Sequence, residues 1–156
     1  MIRVLKAIVL VILIIFLGFQ IQVPKMHEEK FDTVLKSSIH DVDLNEYEMM
    51  SNQEIRRFLS LDPNESKEIA FYRNNDPMKA SEIVLVQFNN MDQKQTFEEE
   101  MHKRIDNQTS IFEGYIDEEV QLLKHAIVHV DGNYALYVVG DFSKDVESQF
   151  LESIGE

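Results

Sequence analysis

His129-Val130-Asp131-Gly132-Asn133-Tyr134-Ala135-Leu136-Tyr137-Val138-Val139 sets a turn signal between two apolar runs, and the way those runs pair decides the architecture. Aspartate before glycine between such runs signals a hairpin, because the central turn positions need a positive φ that glycine adopts without steric cost. A two-residue loop, Asp131-Gly132, sets Val128 and Val130 with Ala135 and Tyr137, and His125, Ile127 and His129 with Leu136 and Val138. A three-residue loop, Asp131-Gly132-Asn133, gathers Ala126, Val128, Val130, Tyr134, Leu136 and Val138 on one wholly apolar face. Burial of one face normally selects the register, so the three-residue loop is the expected one, against the pull of the turn chemistry.

Working outward, a second period-two region precedes this hairpin. Ile69, Phe71 and Arg73 alternate with Ala70 and Tyr72, Asn74-Asn75-Asp76-Pro77 turns the chain, and Ile83 to Phe88 returns as a strand. Helical spacing fills the remainder. Phe31, Val34, Leu35 and Ile39 form one apolar face, and Ser51-Asn52-Gln53-Glu54 has the form of a capping box ahead of Ile55, Phe58 and Leu59. Phe97, Met101 and Ile105 line a longer helix opened by Asn90 or Asp92. On its wet side Glu99 with Lys103 and Glu100 with Arg104 make acid-before-base pairs. Asp117 caps a brief turn holding Val120 and Leu123, and Val146, Phe150 and Ile154 mark a last helix. Two hairpins, each followed by a helix, predict an α+β domain: an antiparallel four-stranded sheet with helices mainly on one face.

The N-terminus is unlike the rest. Arg3 and Lys6 precede Ala7 to Phe19, thirteen residues without a polar side chain, and the run extends to Val23. Seventeen positions are about the minimum for a helix crossing a bilayer, so residues 1–23 read as a transmembrane anchor, the alternative being a signal peptide that is cleaved and leaves a secreted protein. Large residues before any cut, Gly18-Phe19-Gln20-Ile21-Gln22, favour the anchor. Basic residues on the N-terminal flank keep that end in the cytoplasm and send the rest out, so the expected address is the cell membrane, single-pass. Residues 24–27 form a linker and 28–156 an extracytoplasmic acidic domain.

Linker and domain together carry 13 basic against 28 acidic residues and no cysteine. Disulfides, thiolate catalysis and lipidation of a cysteine are excluded, and the charge repels nucleic acid and anionic headgroups. The expected partners are the membrane, through the N-terminal helix, and an unidentified protein or small molecule. No cofactor is expected. His125 and His129 fall about 13 Å apart on one strand at ~3.3 Å per residue, too far for one ion held by bonds of about 2 Å. Glu98 and His102 share a helix face but lack the second histidine of a metalloprotease helix. Asp41-Val42-Asp43-Leu44-Asn45 begins like a calcium loop and fails at Glu46, where the turn needs glycine. No glycine-flanked serine, no phosphate-cradling loop and no distinctive carboxylate pair is present, so the chain is not expected to be an enzyme. A metal-dependent module that brings His102 to His125 or His129 remains open.

Glu82-Ile83-Val84-Leu85-Val86, Phe112-Glu113-Gly114-Tyr115 and Gly132-Asn133-Tyr134-Ala135-Leu136-Tyr137-Val138-Val139, behind an anchored N-terminus, resemble a bacterial family. It is the domain-of-unknown-function family numbered 4358, exported lipoproteins and membrane-anchored proteins of low-GC Gram-positive bacteria. The resemblance spans roughly Ile69 to Phe150. It departs in lacking a lipid-attachment cysteine and in having Ile116-Asp117 where many relatives place a proline. The family carries no established activity, so the resemblance implies an address and a fold but no catalytic residue.

The chain therefore reads as a membrane-anchored, non-catalytic binding module of the cell envelope. Its candidate contact surface is Phe112, Gly114, Tyr115, Tyr134 and Tyr137, where aromatics and glycines meet near a turn. Core packing is the competing explanation for these residues. The alternative function is a hydrolase acting on envelope polymers through two carboxylates facing each other across a cleft.

Overall fold

The computed structural model describes residues 9–12 and 26–155. Apart from residues 9–12, which are helical, the expected anchor lies outside the described residues. Among the described residues no helix is long and apolar enough to cross a membrane.

Within residues 26–155 eleven elements follow one another: α1 (Phe31–Ser38), a 3-10 turn (Leu44–Glu46), β1 (Tyr47–Met49), α2 (Asn52–Leu59), β2 (Ser66–Asn74), β3 (Glu82–Phe88), α3 (Gln93–Phe112), α4 (Asp117–Lys124), β4 (Ile127–Asp131), β5 (Tyr134–Val139) and α5 (Ser143–Ser153). The α+β class and the antiparallel sheet are as expected. The strand count is not: the sheet has five strands, ordered β1-β2-β3-β5-β4. The additional strand is β1, three residues on the outer edge of β2 with Tyr47 opposite Asn74 and Met49 opposite Tyr72. Its largely exposed, acid-interrupted sequence has no apolar period to betray it.

Helices cover both faces of the sheet, which corrects the one-sided arrangement. Phe71, Val84, Val86, Ala135, Tyr137 and Val139 pack against Ile55, Leu59, Phe97, Met101, Phe112, Val120 and Leu123 from α2, α3 and α4. Ala70, Ile83, Leu85, Tyr134, Leu136 and Val138 pack against Phe31, Val34, Val146, Phe150 and Ile154 of α1, α5 and the residue after it. The two central strands, β3 and β5, are buried at every position. A strand covered on both sides reads as a continuous apolar run, which is what Ile83–Phe88 and Tyr134–Val139 are.

This double cover also corrects the hairpin. The loop has two residues, Gly132-Asn133, with Asp131 opposite Tyr134, Val130 opposite Ala135 and His129 opposite Leu136. Gly132 takes φ 53° at the first central position, where a type II′ turn needs it. One wholly apolar face is not required once each face has its own helices. His129 consequently shares the Leu136 face, where its Nδ1 lies 2.9 Å from Glu147 of α5 and its ring meets Phe150 edge-on.

At α2 the capping box is present: the Ser51 hydroxyl accepts from the Glu54 amide, and the Glu54 carboxylate accepts from the Ser51 amide. This holds the Glu54 carboxyl below its usual range, the Ser51 hydroxyl contributing most. On α3 the expected surface pairs are rearranged. Lys103 bonds Glu100, Glu99 accepts from Gln95, and Arg104 turns into the core.

Candidate functional site

The five residues singled out as a contact surface do not form one. Phe112 packs in the α2-α3-α4 layer, Tyr137 points into that same layer, and Tyr134 lies on the opposite face of the sheet. Gly114, at φ 74°, makes the turn out of α3. Gly114 and Tyr115 are open to solvent, Tyr115 at 75% exposed, with Ile111 one helical turn before it at 67%. The histidines do not converge either. His125 Nδ1 sits 2.8 Å from the Gln121 carbonyl at the end of α4, while His129 belongs to the α5 side. Among the described residues no three His, Asp or Glu side chains are placed to hold a metal.

The polar constellation that the fold builds is elsewhere, at the β3 end that begins with Glu82. Glu82 is fully buried, and Arg104 meets it with a two-pronged pair, Nε to Oε1 and Nη2 to Oε2, both 2.5 Å. The Tyr137 hydroxyl donates to Oε1 at 2.8 Å, and Arg104 Nη1 donates to the Phe58 carbonyl at 2.7 Å. Burial pushes the Tyr137 hydroxyl well above its ordinary value, and the adjacent Glu82 charge pushes further. For Arg104 burial opposes the charge, but the bonds from Glu82 outweigh it and raise its pKa. Both carboxylate oxygens are thus hydrogen-bonded within the fold.

Around this pair stands a collar of cations on one ring. The guanidinium carbons of Arg57, Arg73 and Arg104 lie 5.2, 4.8 and 5.9 Å from the centre of Phe58. Arg73 is opposite Glu82 in the β2-β3 register, and its Nε is buried with no hydrogen-bond partner. A sequence signal for part of this existed: Glu82 opens an otherwise apolar strand, and Arg104 falls on the stripe Phe97, Met101, Gln108, Phe112.

A second buried carboxylate, Glu119 of α4, accepts from Lys79 Nζ at 2.9 Å and from the Ala80 amide at 2.8 Å, fastening the β2-β3 loop.

At the other end of the sheet the hairpin tip grips the start of the domain. Asn133 uses its amide like a peptide group: Oδ1 accepts from the His27 amide at 2.7 Å and Nδ2 donates to the His27 carbonyl at 3.3 Å. His27 Nε2 lies 3.0 Å from Asp131 Oδ2, and the Tyr134 hydroxyl donates to the Glu29 carbonyl at 2.8 Å. Phe31 stacks on Tyr134. Burial, and then the charges of Glu68 and Glu29, push the Tyr134 hydroxyl up to about 12. His27, expected to end a linker, is 6% exposed and built into the fold.

The family model described as "Domain of unknown function (DUF4358)" matches residues 40–140. No curated protein and no solved structure matches the chain.

Proposed function

The chain belongs to the DUF4358 family, and from that premise we propose that it is a single-pass, membrane-anchored extracytoplasmic protein whose acidic domain is a non-catalytic binding module of the cell envelope. The observation that carries this reading is the grip on His27. Three residues, Pro24 to Met26, separate the apolar run ending at Val23 from a residue locked into the hairpin tip. Three residues reach about 10 Å at most. A domain tied this closely to a membrane helix is held against the bilayer in one orientation instead of swinging on a tether.

In that orientation the Gly132-Asn133 tip faces the membrane, together with Phe88, whose amide donates to the Asn133 carbonyl. The opposite end, with Glu82, the β2-β3 loop and the start of α4, faces away and is the end offered to a partner. A binding role is favoured over the hydrolase alternative because the buried carboxylates among the described residues, Glu82 and Glu119, are both committed to internal pairs.

The test is topological. The full chain with a C-terminal epitope, expressed in bacterial cells, sediments with membranes, and protease added to intact cells removes the epitope. Arginine at Leu10 and Leu13 releases the protein from the membrane fraction. An epitope that stays protected in intact cells, or a wild-type chain found in the soluble fraction, overturns the reading.

A further inference from the structure

Of the described lysines and arginines, four stand in close ion pairs and the remaining lysines do not. Arg56 pairs with Asp62, Lys79 with Glu119, Lys103 with Glu100 and Arg104 with Glu82. Arg57 and Arg73 do not. Neither makes a hydrogen bond or ion pair among the described residues, although both lie over the same ring, Phe58. The carboxylates at hand are engaged or turned outward. Glu54 feels the charges of both arginines but forms no ion pair with either and accepts from the amide and hydroxyl of Ser51; Glu82, opposite Arg73 on β3, is bonded by Arg104 and Tyr137; Glu48, opposite Arg73 on β1, is exposed and makes no bond to it among the described residues. Three guanidinium groups about one ring repel each other, and only one of them has its counter-charge in contact.

We propose that Arg57 and Arg73, flanking Phe58 at the end of the domain away from the anchor, form a binding site for a single carboxylate group. Stacking on an aromatic face leaves the N–H edge of a guanidinium free, and that edge matches the two oxygens of a carboxylate. A ligand with one negative charge fits better than phosphate or a polyanion, because the domain's large negative charge raises the cost of each further charge. The carboxylate supplies the directly bonded counter-charge that Arg57 and Arg73 lack, while Phe58 and the arginine stems offer apolar contact to the ligand's body. This names a ligand class for the binding module proposed above and rests on that reading. The source is a small carboxylic acid or the C-terminus of a peptide.

The experiment is a titration of the full chain, nitrogen-15 labelled in detergent micelles, followed through the arginine Nε–H signals. Four probes are used: acetate, N-acetyl-alanine, its amide, and inorganic phosphate. Saturable shifts at Arg73 and Arg57 with both carboxylates, and none with the amide, are expected. Tighter binding of N-acetyl-alanine assigns a peptide terminus; equal binding assigns any small carboxylic acid. Arg73→Gln weakens binding by about tenfold or more, the loss of one charge-assisted fork. Arg57→Gln, at an exposed position, does so without endangering the fold. No saturable shift, an equal response to the amide, stronger binding of phosphate, or unchanged affinity in Arg57→Gln overturns the site. The protease experiment above is read separately, so a failed titration with correct topology removes the carboxylate site and leaves the anchored module standing.

Discussion

Arg104 occupies a helical position that composition alone assigns to solvent, and the fold instead closes it over Glu82 in the core. Two buried charges hold because each satisfies the other and because Tyr137 and the Phe58 carbonyl take the remaining bonds. Removing one partner strands the other. Arg104→Met is therefore expected to lower unfolding stability by about 3 to 5 kcal/mol, whereas pairing it with Glu82→Leu recovers a large part of that loss. Urea unfolding of the two variants decides it; a double variant no more stable than the single would refute the stranded-charge account. The sequence carries half of this information. Glu82 at the head of an apolar strand is visible, but the helical period alone places Arg104 equally well beside Glu100 or against the core.

The hairpin shows how an element is settled by what surrounds it. Turn chemistry favoured a tight loop, the wish for one clean apolar face favoured a longer one, and the actual Gly132-Asn133 turn satisfies helices on both sides. Asn133 then has a second task, binding His27 through both atoms of its amide. Asn133→Ala leaves a buried amide and carbonyl without partners, at a cost of about 1 to 3 kcal/mol. The His27 amide should exchange with solvent faster in that variant while the β3 amides keep their protection; unchanged exchange at His27 would show that the grip is not maintained by Asn133. Helix signals were the most legible. Ser51 and Glu54 cap α2 as their spacing predicts, and Phe97, Met101, Val146 and Phe150 face the core. The edge strand β1 is illegible because three largely exposed residues have no period to show.

For the whole molecule, two buried tyrosines couple stability to alkali. Tyr134 and Tyr137 hold their protons more tightly folded than unfolded, where tyrosine titrates near ~10. Above that pH the unfolded chain releases protons that the folded chain retains, so stability is complete below about pH 10 and falls as pH rises. For Tyr134 the window runs from there to about 12. The urea midpoint should stay level to about pH 9 and then decline, and Tyr134→Phe should make the decline shallower; an identical slope would exclude Tyr134 as a contributor. The α+β class, the chain positions of both hairpins, the helix faces, the apolar N-terminal run and the family resemblance were all determined by the sequence itself, because they rest on local period, turn chemistry and residue composition. Tertiary structure alone decided that both faces of the sheet are covered, that Arg104 reaches Glu82, that Phe112, Tyr134 and Tyr137 are core and that His27 belongs to the domain. Each of these depends on pairs far apart in the chain, and a local pattern records that a residue is apolar or charged without recording which distant surface will bury or neutralise it.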